Sequence, residues 1–182
     1  MIKPRSKVYI DGANIFYTQK NIGWSIDWVK MKRYLKNSYN ILEIRYYTGI
    51  KKNDFKMAKY LNYFDHIGIA TVTKSLKRIK TNQGYIYKSN FDVEMTVDIL
   101  LDRTEVDVLI LFSGDSDFHY LVKRLKDLGK LVIIVSSRRM LSWELKLIAH
   151  KYIFIEDINI IHSQFSFFNL QFSISFHLTI YQ

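Results

Sequence analysis

The chain has 182 residues, 48% hydrophobic and 24% charged, a balance that suits one ordinary globular domain with a proper core. No apolar run reaches the ~20 residues of a spanning helix and no signal-peptide core is recognisable, so a cytoplasmic protein with no membrane partner is expected. The absence of cysteine excludes disulfides, thiolate ligands and zinc-finger spacings, while 27 basic against 17 acidic residues, a formal charge of +10, points to a polyanionic partner unless lysine is simply abundant everywhere.

Lys7 to Asp11 reads as a first strand and Asn14 to Lys20 as the start of a helix. Ser25 is a plausible N-cap for a helix to about Lys36, and Ile41 to Thr48 is a β-rich run ending at Gly49. Asn53 is a second cap candidate, followed by Met57, Tyr60, Leu61 and Phe64 at amphipathic helical spacing; after Gly68, Ile69 to Thr73 is another strand. Leu76 to Lys80 and Tyr85 to Lys88 look like two arms of a hairpin around Thr81-Asn82-Gln83-Gly84.

Asp92 to Arg103 reads as a helix with Val93, Val97, Leu100 and Leu101 on one face, and Val106 to Phe112 as the clearest strand of the chain. Phe118, Leu121, Val122, Leu125 and Leu128 give the inward stripe of the next helix, closed by Gly129. Leu131 to Ser136 is a strand, Ser142 caps a helix to about His150, and Tyr152 to Ile155 is a last short strand. Strands alternating with helices imply right-handed crossovers and a mainly parallel sheet covered on both faces. Residues 1–159 thus form one domain; 160–182 is an uncharged tail alternating Phe or Ile with Ser and Thr, whose role the sequence does not disclose.

Acidic residues gather at element ends. Asp11 closes the first strand, Asp115 and Asp117 follow the strand ending at Phe112, and Asp92 opens the helix leading into that strand. Ligands of open parallel sheets bind beyond the carboxyl ends of the strands, where strand order reverses. Two carboxylates ~4 Å apart repel by roughly 4 kcal/mol at an effective dielectric near 20, so a cleft holding several favours a cation between them. Oxygen-only ligation suits Mg²⁺ or Mn²⁺ rather than zinc. Each Asp taken singly also reads as a turn former or helix cap, and Glu94, Asp98 and Asp102 share the spacing of a solvated acidic face, from which Asp98 alone could turn inward. Asn14 is either a cap or a group that orients water, phosphate or Asp11. No Walker A or dinucleotide fingerprint occurs.

The segments VYIDGANIFY, KSNFDVEMTVDILL and LILFSGDSDFHYLVKRLKDLGKLVIIV resemble the NYN family, related to the PIN-domain nucleases, and the likeness runs in order over roughly residues 6 to 157. The resemblance implies a PIN-like Rossmannoid three-layer sandwich carrying a basic hairpin insertion. It also implies metal-dependent endonucleolytic hydrolysis of RNA, with Asp11, Asp92, Asp115 and Asp117 as the acidic cluster, Asn14 in support and Asp98 at a further acidic position. His150 stands where relatives often carry Asp. On this view Asp11 and Asp115 bind the ion directly, Asp92 binds it directly or through water, and Asp117 orients water or a second ion.

The hairpin supplies a substrate surface. Lys74, Lys77, Arg78, Lys80 and Lys88 occur with no acid between them and alternate with Tyr85 and Tyr87, so phosphates and unpaired bases of single-stranded or structured RNA have partners there, unless the lysines serve only solubility. A non-catalytic RNA-binding module and a DNA nuclease are the competing readings, since no residue identifiably reads a 2′-hydroxyl. The tail or an aromatic surface could support a homodimer.

Overall fold

In the computed structural model, which describes residues 2–81, 84–158 and 161–162, the alternating pattern becomes a layered α/β domain. Its elements in order are β1 (Arg5–Asp11), α1 (Gly12–Ile22), β2 (Ser25–Ile26), α2 (Trp28–Ser38), β3 (Asn40–Ile50), α3 (Phe55–His66), β4 (Ala70–Ser75), β5 (Lys77–Thr81), β6 (Gly84–Lys88), α4 (Asp92–Leu101), β7 (Val108–Phe112), α5 (His119–Asp127), β8 (Leu131–Ser136), α6 (Trp143–Ile148), β9 (Lys151–Phe154) and β10 (Ile161–His162). Six strands form one sheet in the order β4-β3-β1-β7-β8-β9, and every neighbouring pair is parallel. Two ribbons stand apart from it, the antiparallel β5–β6 hairpin and a short pairing of β10 with β2. The rest of the 160–182 tail lies outside the described residues. Among the described residues no helix is long and apolar enough to cross a membrane.

Side chains alternate across the strands and build two cores. Val8, Ile10, Ile44, Tyr46, Ile110 and Phe112 pack against Ile15, Met31, Leu35 and Phe64 from α1, α2 and α3. Tyr9, Tyr47, Leu109 and Leu111 face the other way, against Met95, Ile99, Leu121, Val122 and Leu125 from α4 and α5. Helices therefore cover both faces, and β7, read as the clearest strand, is buried along its whole length as a central parallel strand should be. This is the expected three-layer sandwich. Strand order reverses between β1 and β7, whose register sets Ile10 beside Phe112, so both chains leave the sheet into one crevice.

Several local expectations are corrected. Ser25 does not cap α2: it lies in β2, and Asp27 takes the cap, its Oδ1 accepting from the Lys30 N–H at 3.0 Å. Asp54 rather than Asn53 caps α3, and Asn53 instead takes the left-handed backbone (φ 61°) of the turn before it. Val93, Val97, Leu100 and Leu101 do share a face of α4, but it is the solvent face; Phe91, Met95 and Ile99 make the buried one. Polar contacts go with this orientation: Asp98 accepts from Tyr47 and Asp102 from Lys7 and Tyr9, all three on strands of the sheet, while Asp92 meets the Asn90 side chain in the preceding loop.

Asp102 in particular is no solvated acid. It accepts from Lys7 Nζ at 2.5 Å and from the Tyr9 hydroxyl at 3.0 Å, and Lys7 also reaches Glu43 at 3.0 Å. Burial alone would raise the Asp102 pKa, but Lys7 and the Thr104 groups hold it well below the usual carboxylate range. Lys7 and Asp102 have side chains only 8% and 12% exposed, so water replaces a lost charge partner poorly. Lys7→Met is expected to destabilise the fold by roughly 3–5 kcal/mol by stranding Asp102, measured by urea unfolding, and Lys7→Met with Asp102→Asn should recover part of the loss.

Candidate metal centre

The crevice beyond β1 and β7 is built from two short acidic turns. Asp11 ends β1 and caps α1, its Oδ1 accepting from the N–H groups of Ala13 and Asn14, both at 3.1 Å. Asp115 caps the tight turn Ser116–Phe118, accepting from the Asp117 N–H at 3.0 Å. Asp92 begins α4, its N–H donating to Asn90 Oδ1 at 2.9 Å. For Asp11 and Asp115 the cap reading is realised, and the backbone N–H groups that need acceptors fix where those carboxylates stand; the Asp92 carboxylate caps nothing, and α4 starts without a side-chain cap.

Asp92, Asp115 and Asp117 each bring one carboxylate oxygen to within 4.8 Å of the others. Asp11 stands outside that triplet. It is buried, close enough to feel the charges of Asp92 and Asp115, and Ser113 Oγ donates to its Oδ2 at 3.2 Å. Burial chiefly, with the neighbouring charges of Asp92 and Asp115 against the pull of the Asn14 N–H and Ser113, pushes the Asp11 carboxyl up to about 6. Burial also raises Asp92, as do Asp115 and Asp117, while Asn90 and Lys74 oppose the rise. Three oxygen donors with no nitrogen or sulfur among them fit a hard divalent cation such as Mg²⁺ or Mn²⁺, whose charge would relieve this repulsion.

Backbone closeness demands glycine at two places in the crevice. A Cβ on Gly12 would collide with the Tyr47 carbonyl and the Tyr46 ring, and one on Gly114 with the Met140 carbonyl and Ser136 Oγ. Asn14 joins the two acidic turns: its Oδ1 accepts from the Gly114 N–H at 3.0 Å, so it ties β7's exit to α1. Asp98 turns inward and accepts from the buried Tyr47 hydroxyl at 2.8 Å, apart from the triplet. His150 is remote, its Nδ1 accepting from the Val132 N–H near the start of β8.

The hairpin follows β4 and ends four residues before Asp92. Lys77, Arg78, Lys80 and Lys88 are exposed along it, Lys77 pairs in register with Lys88, and the Arg78 guanidinium lies 3.5 Å over the Tyr85 ring. Lys74 differs from them. Its ammonium is committed to the Asn90 carbonyl, to Glu94 at 2.5 Å and to the face of the Phe91 ring, which clamps the segment carrying Asp92. Two residues of the site escaped the sequence reading. Ser113 links Asp11 to the Asp115 N–H, and Asn90 seats Asp92; the only signal was a small polar residue two positions before each Asp, a local turn pattern.

Comparison with known proteins places this arrangement. The family profile described as NYN domain matches residues 5–156. The chain is similar to the low amplitude and bright protein LabA of Synechococcus elongatus, 28% identical over 159 residues that span 85% of each chain. In fold it is similar to a crystal structure of a protein of unknown function from Vibrio parahaemolyticus, with a TM-score of 0.75 at 22% identity, covering 88% of this chain and 97% of that one.

The raised Asp11 carboxyl has a consequence for the metal-free protein. A carboxyl pushed up to about 6 from an ordinary 3.8 means that the folded chain holds the proton longer, so this group costs stability progressively as pH rises from about 4 to 6, and the loss is complete and constant above that. Asp11→Asn, which keeps an oxygen for the cap, is expected to raise stability in EDTA at pH 7.5 by about 1–3 kcal/mol and to have little effect at pH 4, read by thermal denaturation.

Proposed function

The chain belongs to the NYN domain family, a PIN-like nuclease family, and on that premise we propose that it is an Mg²⁺- or Mn²⁺-dependent endoribonuclease. The observation that carries this reading is the convergence of Asp92, Asp115 and Asp117 at the carboxyl ends of the strands, near the buried Asp11. A protein that only bound RNA would gain nothing from carboxylates crowded where a phosphate must approach, since they repel it.

In this reading Asp92, Asp115 and Asp117 hold the ion, and Asp11 adds charge nearby. The bound ion would offset charge on the scissile phosphate and lower the pKa of an attacking water. The protein's own residues do the positioning. Asn14 and Ser113 keep the turns after β1 and β7 together, and Lys74 with Asn90 holds Asp92 at the head of α4. Lys77, Arg78, Lys80 and Lys88 take phosphates of the strand, and Tyr85 and Tyr87 take unpaired bases beside them.

Asp115→Asn and Asp92→Asn are each expected to reduce Mn²⁺-dependent cleavage of RNA at least ~100-fold, because each removes a charged ligand, while thermal midpoints in EDTA stay level or rise. The assay compares single-stranded RNA, structured RNA and DNA with Mn²⁺, Mg²⁺ or EDTA. Undiminished turnover in the double variant sinks the assignment. For the hairpin, Lys77→Gln, Arg78→Gln and Lys80→Gln together should flatten the dependence of log Kd on log salt by about two to three units, and an unchanged slope would remove these residues from the binding surface.

A further inference from the structure

A basic and aromatic ladder stands at the margin of the sheet opposite the hairpin and has no part in the site described so far. Trp143, the first residue of α6, is 66% exposed. The Lys146 ammonium lies 5.9 Å from the centre of the Trp143 ring and 5.4 Å from that of Tyr152 on β9. Tyr152 meets Phe154 with ring centres 5.1 Å apart, and the Arg138 guanidinium covers Phe154 at 4.4 Å. Ring, cation, ring, ring and cation thus succeed one another across α6, β9 and the loop after β8. Arg138 is held in place by Asp157 at 2.5 Å, whereas Lys146 pairs with no carboxylate among the described residues.

The ladder starts beside the acidic turns. The Ser142 N–H donates to the Gly114 carbonyl at 2.9 Å, so Trp143 begins one residue from a direct contact with the turn that carries Asp115 and Asp117. An apolar protein partner would bury the rings but desolvate Lys146 without compensation. A polyanion with flat π faces satisfies both groups at once. We propose that Trp143, Lys146 and Tyr152 form a stacking platform for unpaired bases of an RNA strand that continues from the acidic crevice, so that the substrate is single-stranded on this side. The course of the strand rests on the nuclease reading; the platform itself is tested without catalysis.

The test measures binding of a fluorescein-labelled oligouridylate by anisotropy in EDTA, with an RNA duplex of equal length alongside. Trp143→Ala is expected to weaken oligouridylate binding about tenfold, the loss of one stacked base, with Trp143→Phe largely restoring it and duplex binding unchanged. Lys146→Gln is expected to reduce the salt slope by about one unit. Because Trp143 is mostly exposed, the variant should keep the parent thermal midpoint, and Asp115→Asn, which leaves the platform intact, should lose Mn²⁺-dependent cleavage while keeping parent affinity for oligouridylate in EDTA, so a failure of the acidic site and a failure of the platform are read separately. Parent affinity for oligouridylate in Trp143→Ala, equal losses for single strand and duplex, or a loss of self-association in place of RNA binding would each overturn the proposal.

Discussion

Like charges crowded at the end of a parallel sheet set the terms on which this structure is arranged. The pairing of β1 with β7 sends two acidic turns into one crevice, and α4 enters it with a third. Four carboxylates there repel one another, and Lys74, whose charge opposes the rise of Asp92, is itself committed to Glu94 and the Asn90 carbonyl. The protein meets that repulsion with N–H groups and hydroxyls: those of Ala13 and Asn14 on Asp11, that of Asp117 on Asp115, and Ser113 between the two turns. These fix position without neutralising the charge, and burial first, with the neighbouring acids after it, raises the Asp11 and Asp92 carboxyls.

The opposite end of the same strands is organised by the reverse solution. There Lys7 lies between Asp102 and Glu43, with Arg45 on Glu43 and Tyr9 on Asp102, so charge is matched within the fold. One helix connects the two regions. α4 has Asp92 at its head in the unmatched cluster and Asp102 just past its tail in the matched one, with Asp98 on Tyr47 between them. The face it buries therefore carries Met95 and Ile99 together with the inward acids Asp98 and Asp102, and not its most aliphatic stripe.

That is why α4 was read least well from the sequence. Val93, Val97, Leu100 and Leu101 make a stronger apolar pattern than Met95 and Ile99, and periodicity weighs hydrophobicity without knowing which acids have partners on distant strands. The strands were easier. β7 and β8 are apolar runs bounded by turn residues, and the register that joins Asp11 to Asp115 follows from sheet topology. The acidic residues themselves were legible because they sit at element ends, but the separation of Asp11 from the Asp92, Asp115 and Asp117 triplet depends on side-chain geometry that spacing does not encode. Lys74 groups with the hairpin cations by its place in the chain, and only the folded backbone reveals that the Asn90 carbonyl and Glu94 claim it.

The two outer strands of the main sheet carry a further meaning. β9 has four residues and opens with Lys151, and β4 carries Lys74 before the chain swings away into the hairpin. Neither margin offers a long, flat, uncharged ladder of free backbone groups. A neighbouring molecule would find little to zip onto at either border of the main sheet.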